Sequence, residues 1–455
     1  MMTYPLSSLG SAVEMAQRAL RNIESWNPIV NAMITVTADH AMRKAEALDA
    51  AAMSGQWCGL LHGMTISIKD NIDMAGVPTT AATAILRHNV ASRNAFVVDR
   101  LERNGAIIVG KANLHEWVFG PTSQSLHFGP VCNPWNPSHI PAGSSGGSGA
   151  SVAAGMCVGS IGSDTAGSIR LPASFNGVAG LRPTAGRISN SGSIAVSPPF
   201  DTLGPLSRNV SDVARIFAAI AGHDPGDPMS ADHPMPAFLE TLGEPVQGMR
   251  MGIMRRWFFD DLDPDVERAM EATIDVYRDL GVEIVEVDLG DVENAQSMLT
   301  FGIVVADALQ RHQERIERQP QDYGDDVLMR MRLGEKVSGV QYAQSMRWME
   351  AWRHRLKGVF RDVDALLSPT TPRPAPAAKG LDFAQAIRQI PRFSCAWPMA
   401  GIPSLAVPCG FSADGLPLSH ELAAPCFCEP TVLRLGHAFQ SVTDHHLQCA
   451  RLPDA

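Results

Sequence analysis

The sequence predicts an α/β fold, because segments typical of buried strands alternate along the chain with segments typical of helices. The run Met64-Thr-Ile-Ser-Ile-Lys-Asp-Asn-Ile72 alternates β-branched residues and ends in polar ones, as a buried strand does. Residues 95–104 have helical spacing and lead into 106–110, a short apolar segment typical of a strand inside a parallel or mixed sheet. Strand, helix and strand patterns follow again at 248–254, 264–280 and 282–287.

The remaining patterns are mainly helical. Apolar residues recur at helical spacing from Ser11 to Met53, with a break near Pro28, and predict a helical entry segment. A loop at 121–149 precedes small apolar residues at 151–160, which predict a tightly packed helix. Further helices are expected at 210–222 and 290–360, and late strands at 363–368 and 404–409. Since neither an internal repeat nor a linker is visible, residues 1–455 are expected to form a single domain.

Composition favours an enzyme that acts on a small molecule. The formal net charge of −10 provides no basic stripe for a nucleic acid or a membrane surface. No run of about 18 apolar residues is present, and the start Met-Met-Thr-Tyr-Pro-Leu lacks a basic segment followed by an apolar stretch. A cytoplasmic protein is therefore expected. The eight scattered cysteines match neither a disulfide framework nor a standard zinc pattern, and no metal site is expected.

Glycines and serines are concentrated at 141–149 and 162–172. Glycines let the backbone approach a ligand, and serine hydroxyls act as nucleophiles or proton carriers. The sequence Gly143-Ser-Ser-Gly-Gly147 also fits the G-x-S-x-G template of an α/β-hydrolase, which would make Ser145 the nucleophile. That template needs a strand directly before the serine, whereas the three prolines in 133–141 argue against a central strand there.

Lys69 is the best candidate for the base that activates a serine. It lies at the end of the predicted strand, where partial desolvation would lower its pKa and let the neutral amine accept a proton. A salt bridge from Lys69 to Asp70 or Asp73 is an equally open interpretation of this segment. The pair His115-Glu116 lacks the second histidine of a metalloprotease helix, so a structural or substrate-shaping role is expected for it.

Together these segments resemble the amidase signature family, over about 60–210 and again over about 366–440. Family members carry Gly-Gly-Ser-Ser-Gly-Gly-Ser, then Gly-Thr-Asp-Thr-Gly-Gly-Ser-Ile-Arg, and a lysine in a Val-Lys-Asp-Asn context. The counterparts here are Ala142-Gly-Ser-Ser-Gly-Gly-Ser148, Gly162-Ser-Asp-Thr-Ala-Gly-Ser-Ile-Arg170 and Ile68-Lys-Asp-Asn71. The resemblance implies an α/β fold in which a mixed, twisted β-sheet is covered by helices on both faces. It also implies an N-terminal helical segment (about 1–55), a signature core (about 60–210) and a variable helical region (about 290–360).

The resemblance further implies the roles of the catalytic residues. Ser168 is the nucleophile, Ser144 is the bridging serine held by a cis peptide, and Lys69 is the ultimate base. Lys69 takes the proton of Ser144 while Ser144 takes that of Ser168, and the reverse transfer protonates the leaving nitrogen. The oxyanion hole is expected to consist of the backbone N–H groups of Thr165, Ala166, Gly167 and Ser168.

Candidate substrate contacts are Gly120, Ser123 and Arg170. Arg170 could steer a carboxylate-bearing substrate, although a structural ion pair is at least as good an interpretation. No metal, nucleotide or flavin is expected, since the triad supplies its own base and nucleophile. Homodimers are common in the family.

Three functions compete on this evidence. The favoured one is a stand-alone amidase that cleaves a small-molecule amide, anilide, carbamate or ureide through an acyl-enzyme that water hydrolyses. The second is the glutaminase subunit of a tRNA-dependent amidotransferase, which would pass ammonia to a partner; a short middle region at 310–350 and an altered motif at 415–421 argue against it. The third is a non-catalytic binding module, which the retention of all three triad residues disfavours.

Overall fold

The computed structural model describes residues 10–451. The start Met-Met-Thr-Tyr-Pro-Leu, on which the cytoplasmic expectation partly rests, lies outside the described residues, as do residues 452–455. Within the described part, no helix is both long enough and apolar enough to cross a bilayer.

Residues 10–451 contain a mixed sheet of eleven strands and a separate two-stranded hairpin. The strands are β1 (Met33–Val36), β2 (Thr65–Lys69), β3 (Ile107–Ala112), β4 (Gln124–Ser125), β5 (Gly129–Pro130), β6 (Gly159–Asp164), β7 (Ala179–Arg182), β8 (Thr202–Ser207), β9 (Arg250–Ile253), β10 (Glu283–Glu286), β11 (Ala365–Pro369), β12 (Ser404–Phe411) and β13 (Pro417–Ala423). Their order across the sheet is β1-β3-β2-β6-β8-β7-β12-β13-β11-β9-β10, and β4 pairs with β5. β2 runs parallel to β3 and β6, and β9 runs parallel to β10 and β11, while the other neighbours are antiparallel.

Helices cover both faces of this sheet. They are α1 (Ala12–Val30), α2 (Ala38–Met53), α3 (Phe96–Arg103), α4 (Gly146–Ala153), α5 (Arg170–Asn176), α6 (Val210–Ile220), α7 (Arg255–Phe258), α8 (Pro264–Asp279), α9 (Val305–Arg318), α10 (Asp325–Arg332), α11 (Gly339–Val359), α12 (Phe383–Gln389), α13 (Ala396–Ala400) and α14 (Glu429–Val442). Ile108 and Leu405 pack with α3, α6, α8 and α14, whereas their neighbours Ile107 and Ala406 pack with α1, α2, α4 and α5. Successive strand residues point to opposite faces, so the predicted α/β fold with two helical layers is confirmed.

Two parallel strands bring the predicted site residues together. β2 and β6 are neighbours in the sheet, with Ile68 paired to Ile161. Because parallel strands end at the same edge of a sheet, Lys69 at the end of β2 lies near the turn 165–168 that follows β6. The helices of the predicted variable region, 290–360, pack beside this edge in a cluster that also contains Phe119.

The predicted break near Pro28 is present, but it lies at 31–37, between α1 and α2, and not at the proline itself. Pro28 lies inside α1, which ends at Val30 with Asn31 in a left-handed conformation (φ 49°). A proline removes one N–H group from the helical ladder, and so near a helix end it interrupts little. β1 then separates α1 from α2, a strand of four residues that is too short to show a clear alternation in the sequence.

The predicted helix at 151–160 is wrong in its bounds. α4 begins at Gly146 and ends at Ala153, and β6 follows at Gly159. β6 consists mostly of small residues, so its sequence lacks the apolar or β-branched pattern of a strand. Close packing requires these small residues. A Cβ atom on Gly159 would lie 2.4 Å from the side chain of Ile216, closer than such atoms can approach.

Candidate active site

Lys69 is the last residue of β2, and its side chain is fully buried. The side chain points toward the segment that precedes α4. Lys69 Nζ donates hydrogen bonds to Ser144 Oγ at 2.7 Å, to Ser145 Oγ at 2.9 Å and to Ser163 Oγ at 2.8 Å. Three hydroxyl groups therefore hold the amine in place.

Lys69 forms no ion pair within residues 10–451, so the alternative of a salt bridge to Asp70 or Asp73 is wrong. Asp70 is paired instead with Lys111, whose Nζ lies 2.7 Å from Asp70 Oδ1. Both of these side chains are fully buried. The hydrogen-bond partners of the Lys69 amine among the described residues are therefore all hydroxyl groups.

Burial lowers the pKa of Lys69 well below its ordinary value, because the charged form loses its hydration. The negative charges of Asp164 and Asp201 oppose this shift without cancelling it. The direction of the shift favours the neutral amine, which can donate two of its three hydrogen bonds to the serine hydroxyl groups and accept a proton from the third hydroxyl through its lone pair. Lys69 thus meets both requirements for a base, contact with a serine hydroxyl and a lowered pKa.

Ser145 joins the segment that carries Ser144, before α4, to β6 and the turn after it. The Gly143–Ser144 peptide bond is cis, in agreement with the resemblance. Ser145 N–H donates to the carbonyl of Ser168 at 3.3 Å, and Ser145 Oγ donates to the carbonyl of Ser163 at 3.1 Å. The two serine-rich segments found in the sequence are therefore hydrogen-bonded to each other.

Ser168 is half-buried and lines a small cavity at the edge of the sheet. Its hydroxyl forms no hydrogen bond with any of the described residues, Ser144 included. The structure therefore brings Lys69 and Ser144 into contact and places Ser168 on the cavity wall, but it shows no hydrogen bond between the two serines. A hydroxyl that faces a cavity is accessible to an incoming carbonyl group.

The turn before Ser168 exposes backbone N–H groups to the same cavity, which Thr165 and Ala166 also line. Gly167 N–H donates to Asp164 Oδ1 at 2.8 Å and is therefore already engaged. The N–H groups of Thr165, Ala166 and Ser168 find no partner among residues 10–451. Three of the four N–H groups expected to form the oxyanion hole are thus available to a ligand.

Arg170 does not line the cavity. Its guanidinium group is fully buried and lies 3.0 Å from Asp164 through both Nε and Nη2, and 2.6 Å from Glu421 Oε1 through Nη1. Burial alone would raise the pKa of Asp164, but the charges of Arg170 and Arg182 lower it below its ordinary range. Of the two roles considered for Arg170, this geometry supports the structural ion pair rather than substrate binding.

The two other candidate substrate contacts differ in position. Gly120 lines the cavity, and a Cβ atom there would lie 2.1 Å from His115 Nε2, so only glycine fits. Ser123 is fully buried, and its Oγ accepts a hydrogen bond from Gly146 N at 3.1 Å. Ser123 therefore supports the loop that carries Ser144, while Gly120 can contact a substrate.

Arg330 is the only charged residue among the described residues that line the cavity. Its side chain is 8% exposed, and Cζ lies 4.3 Å from the centre of the Phe119 ring. It forms no hydrogen bond or ion pair with any described residue, and Nε is buried without a partner. Burial lowers the pKa of Arg330 to about 10, which still leaves it positively charged at neutral pH. The cavity therefore contains a positive charge that forms no ion pair with any described carboxylate.

Two residues of the candidate site were missed in the sequence. Ser163, which accepts a hydrogen bond from Lys69, occupies the position of the family's threonine in Gly-Thr-Asp-Thr, so the retained hydroxyl was a usable signal. Arg330 lies in a segment where arginines are frequent, and nothing in its sequence context separates it from the exposed Arg332. Within the described chain, no group of three or more histidine, cysteine, aspartate or glutamate side chains is arranged to hold a metal ion.

The chain is similar to known proteins over most of its length. The model of the family described as Amidase matches residues 14–433. The A subunit of glutamyl-tRNA(Gln) amidotransferase from Synechococcus sp. (strain RCC307) is 36% identical over 465 residues, covering 95% of this chain and 94% of that protein. A solved structure of a vestigial protein complex, described as revealing the evolutionary origins of an s-triazine catabolic enzyme, matches with a TM-score of 0.90 and 31% identity over 98% of both chains. The solved structure of the corresponding amidotransferase subunit from Thermotoga maritima matches with a TM-score of 0.83 and 28% identity, over 95% of this chain and 92% of that one.

Proposed function

We propose, from the premise that the chain belongs to the amidase family, that it cleaves the carbonyl–nitrogen bond of a small amide-type substrate that bears a carboxylate. One observation carries the proposal: the half-buried Ser168 and the unpaired guanidinium group of Arg330 line the same cavity. A nucleophile and a fixed positive charge are thus available to one bound molecule.

The proposed reaction begins with two coupled proton transfers. The neutral amine of Lys69 takes the proton of Ser144, and Ser144 takes the proton of Ser168 as its oxygen attacks the carbonyl carbon. The free N–H groups of Ala166 and Ser168 stabilise the negative charge on the carbonyl oxygen. The carbon–nitrogen bond then breaks, and the same residues return a proton to the leaving nitrogen. Water hydrolyses the acyl-enzyme, which releases a carboxylic acid and restores the Ser168 hydroxyl.

The buried, unpaired charge of Arg330 favours the binding of a substrate that carries a carboxylate. A buried charge without a partner is costly, and a carboxylate can accept two parallel hydrogen bonds from a guanidinium group. The rest of the wall is mostly apolar, with Phe119, Leu171 and Val196 among its residues. Such a wall favours a short aliphatic spacer between the carboxylate and the amide.

The relatives favour a second candidate, the glutaminase subunit of a tRNA-dependent amidotransferase, over the stand-alone enzyme expected from the sequence. The match covers 94% of the Synechococcus protein, so the difference expected at 310–350 does not interrupt a similarity over nearly the whole length of both chains. In this function the ammonia would pass to a partner protein. Glutamine also carries a carboxylate and a terminal amide, so the same cavity chemistry serves both candidates.

The test uses two amides that differ only in the carboxylate, glutaramate and pentanamide, together with L-glutamine. Ammonia release is measured for the purified protein and for its Ser168→Ala, Arg330→Met and Arg332→Met variants. We expect a preference for glutaramate in kcat/KM that Arg330→Met reduces by about tenfold to a hundredfold, the usual worth of a charged hydrogen bond. Arg332→Met, on the exposed side of the same helix, should retain the preference, and Ser168→Ala should be inactive.

Four outcomes bear on this proposal: two would contradict it, and two would distinguish the stand-alone enzyme from the amidotransferase subunit. Equal turnover of glutaramate and pentanamide contradicts the role of Arg330, and turnover by Ser168→Ala contradicts the nucleophile. Steady turnover by the protein alone supports the stand-alone enzyme. Turnover of L-glutamine that starts only when a partner protein is added supports the amidotransferase function.

A further inference from the structure

Arg330 lies on the short helix α10. α10 has eight residues, Asp325–Arg332, and so short a helix depends on its contacts for a defined position. Asp326 and Arg330 are four residues apart and therefore lie on one face of this helix. Whatever fixes Asp326 consequently also fixes the direction in which Arg330 enters the cavity.

Two adjacent buried residues hold the beginning of α10. Glu116 Oε2 accepts a hydrogen bond from the backbone N–H of Gly324, the N-cap residue, at 2.7 Å. His115 Nε2 lies 3.1 Å from Asp326 Oδ2. His115 is fully buried and Glu116 is 1% exposed, so neither contact is easily exchanged for water. The sequence led us to expect a structural or substrate-shaping role for this His-Glu pair.

His115 also contacts the loops that carry Ser123 and Ser144. His115 Nδ1 accepts a hydrogen bond from the backbone N–H of Ser123 at 3.1 Å, which assigns the ring proton to Nε2, the nitrogen that faces Asp326. The backbone N–H of His115 donates to the carbonyl of Ser144 at 3.0 Å. The ring occupies the space that a side chain on Gly120 would fill. One residue thus contacts both the catalytic serine loop and α10.

We propose that His115 is a positioning residue that holds Arg330 at a fixed distance from Ser144 by fixing α10 through Asp326, with Glu116 holding the helix start. This inference rests on the proposed function, because it assumes that Arg330 binds the carboxylate of the substrate. His115 itself does not touch the substrate. Its effect is on geometry, and it should appear with a charged substrate and be absent with a neutral one.

The direction of the effect separates positioning from simple electrostatics. Asp326 forms no ion pair with Arg330 among the described contacts, but its negative charge lies near enough to raise the pKa of Arg330. If Asp326 acted only through this charge, its removal would strengthen carboxylate binding. If it positions the helix, its removal weakens carboxylate binding, since even a small misplacement of a binding group is costly.

The experiment compares Asp326→Ala, Asp326→Asn and Asp325→Ala with the wild-type protein on glutaramate and pentanamide. Asp325 lies in the same helical turn, carries the same charge and is exposed, so it is the matched control. We expect Asp326→Ala to lower kcat/KM for glutaramate by about tenfold or more and to leave pentanamide unchanged. Asp326→Asn, which keeps an oxygen at the same position beside His115 Nε2, should retain most of the activity, and Asp325→Ala should retain all of it.

Each outcome supports or overturns the inference. A higher kcat/KM for glutaramate in Asp326→Ala, or an equal loss in Asp326→Ala and Asp325→Ala, overturns it while the proposed function stands. Equal turnover of glutaramate and pentanamide by the wild-type protein overturns the proposed function and this inference with it. Hydrogen exchange of residues 325–332 gives a second readout, and it should be faster in Asp326→Ala than in Asp325→Ala if His115 fixes the helix.

Discussion

Lys111 Nζ lies 2.7 Å from Asp70 Oδ1, and this buried ion pair occupies the carboxylate that directly follows Lys69 in the sequence. Lys111 also donates to Thr79 Oγ1 at 3.1 Å. The two lysines lie on the neighbouring parallel strands β2 and β3, yet their surroundings differ. Because Asp70 is paired with Lys111, it does not compete with the serine hydroxyl groups for Lys69.

Removing one partner of this ion pair should lower the free energy of unfolding of the protein. Lys111→Met leaves the carboxylate of Asp70 buried without its partner, which typically costs about 3–5 kcal/mol. Lys111→Met combined with Asp70→Asn removes both charges and should recover most of that loss. Chemical denaturation of the wild-type protein and the two variants measures the free energies of unfolding. If the single and double variants were equally stable, the pair would not be what keeps Asp70 charged and buried.

The activity should depend on pH through Lys69. Only the neutral amine can accept a proton, and burial lowers the pKa of Lys69, so kcat/KM should rise with pH and reach a plateau well below the ordinary lysine value of about 10.4. The measurement is a pH profile of kcat/KM on glutaramate. Lys69→Met and Lys69→Arg should be inactive throughout, because neither side chain offers a basic lone pair. A profile that still climbed steeply at pH 10 would contradict the lowered pKa.

The stability should fall in acid because of His420. This residue is fully buried on β13, Nε2 lies 3.0 Å from the hydroxyl oxygen of Tyr277, and burial lowers its pKa to about 3. The unfolded chain, with a histidine pKa of about 6.5, binds more protons than the folded one between these two values. The free energy of unfolding should therefore decrease as the pH falls from about 6.5 toward 3, by up to about 1.4 kcal/mol per pH unit.

The matched variant for this prediction is His420→Asn, which keeps a polar group near Tyr277 but does not titrate. Other groups also titrate in acid, so the informative quantity is the difference in unfolding free energy between the wild-type protein and the variant. At each step from pH 7 to pH 6, 5 and 4, the wild-type protein should lose more unfolding free energy than the variant. A difference that stayed constant over this range would show that His420 is not held neutral.

Some features of the fold were predictable because local chemistry decides them. The alternating β-branched run around Lys69 predicts β2, and the strand, helix, strand pattern from 248 to 287 matches β9, α8 and β10 closely. β6, β7 and β8 were not predicted. They form the middle of the sheet, where glycine and other small residues are selected by close packing from both faces and leave no periodic pattern.

The candidate site, too, was predictable only where a local motif decides the residue. The serine and lysine positions followed from sequence motifs, and the structure brings Lys69 and Ser144 into contact. The environments of the two arginines did not follow from the sequence, because they depend on distant segments. Arg170 pairs with Glu421, 251 positions away, and is buried, whereas Arg330 pairs with no carboxylate among the described residues and lines the cavity. A motif can therefore indicate a nucleophile, but it does not show which charge remains unpaired.

The turn at Gly167 should tolerate no side chain. Its φ of 133° is one that residues with a Cβ atom rarely adopt, and a Cβ atom there would lie 2.4 Å from Ser394 Oγ. Ser394 cannot easily move away, since its Oγ donates to the carbonyl of Ala166 at 2.6 Å. Gly167→Ala should therefore displace the N–H groups beside Ser168 and lower kcat by about a hundredfold or more.

Ala166→Gly is the matched control for this turn, because it changes the neighbouring residue by the same methyl group and keeps every N–H group. We expect it to leave kcat nearly unchanged. Steady-state kinetics on glutaramate, with thermal unfolding measured in parallel, separates a displaced turn from an unfolded protein. If Gly167→Ala kept the wild-type kcat, the N–H groups of this turn could not be the ones that stabilise the charge on the carbonyl oxygen, and the oxyanion hole would have to lie elsewhere on the cavity wall.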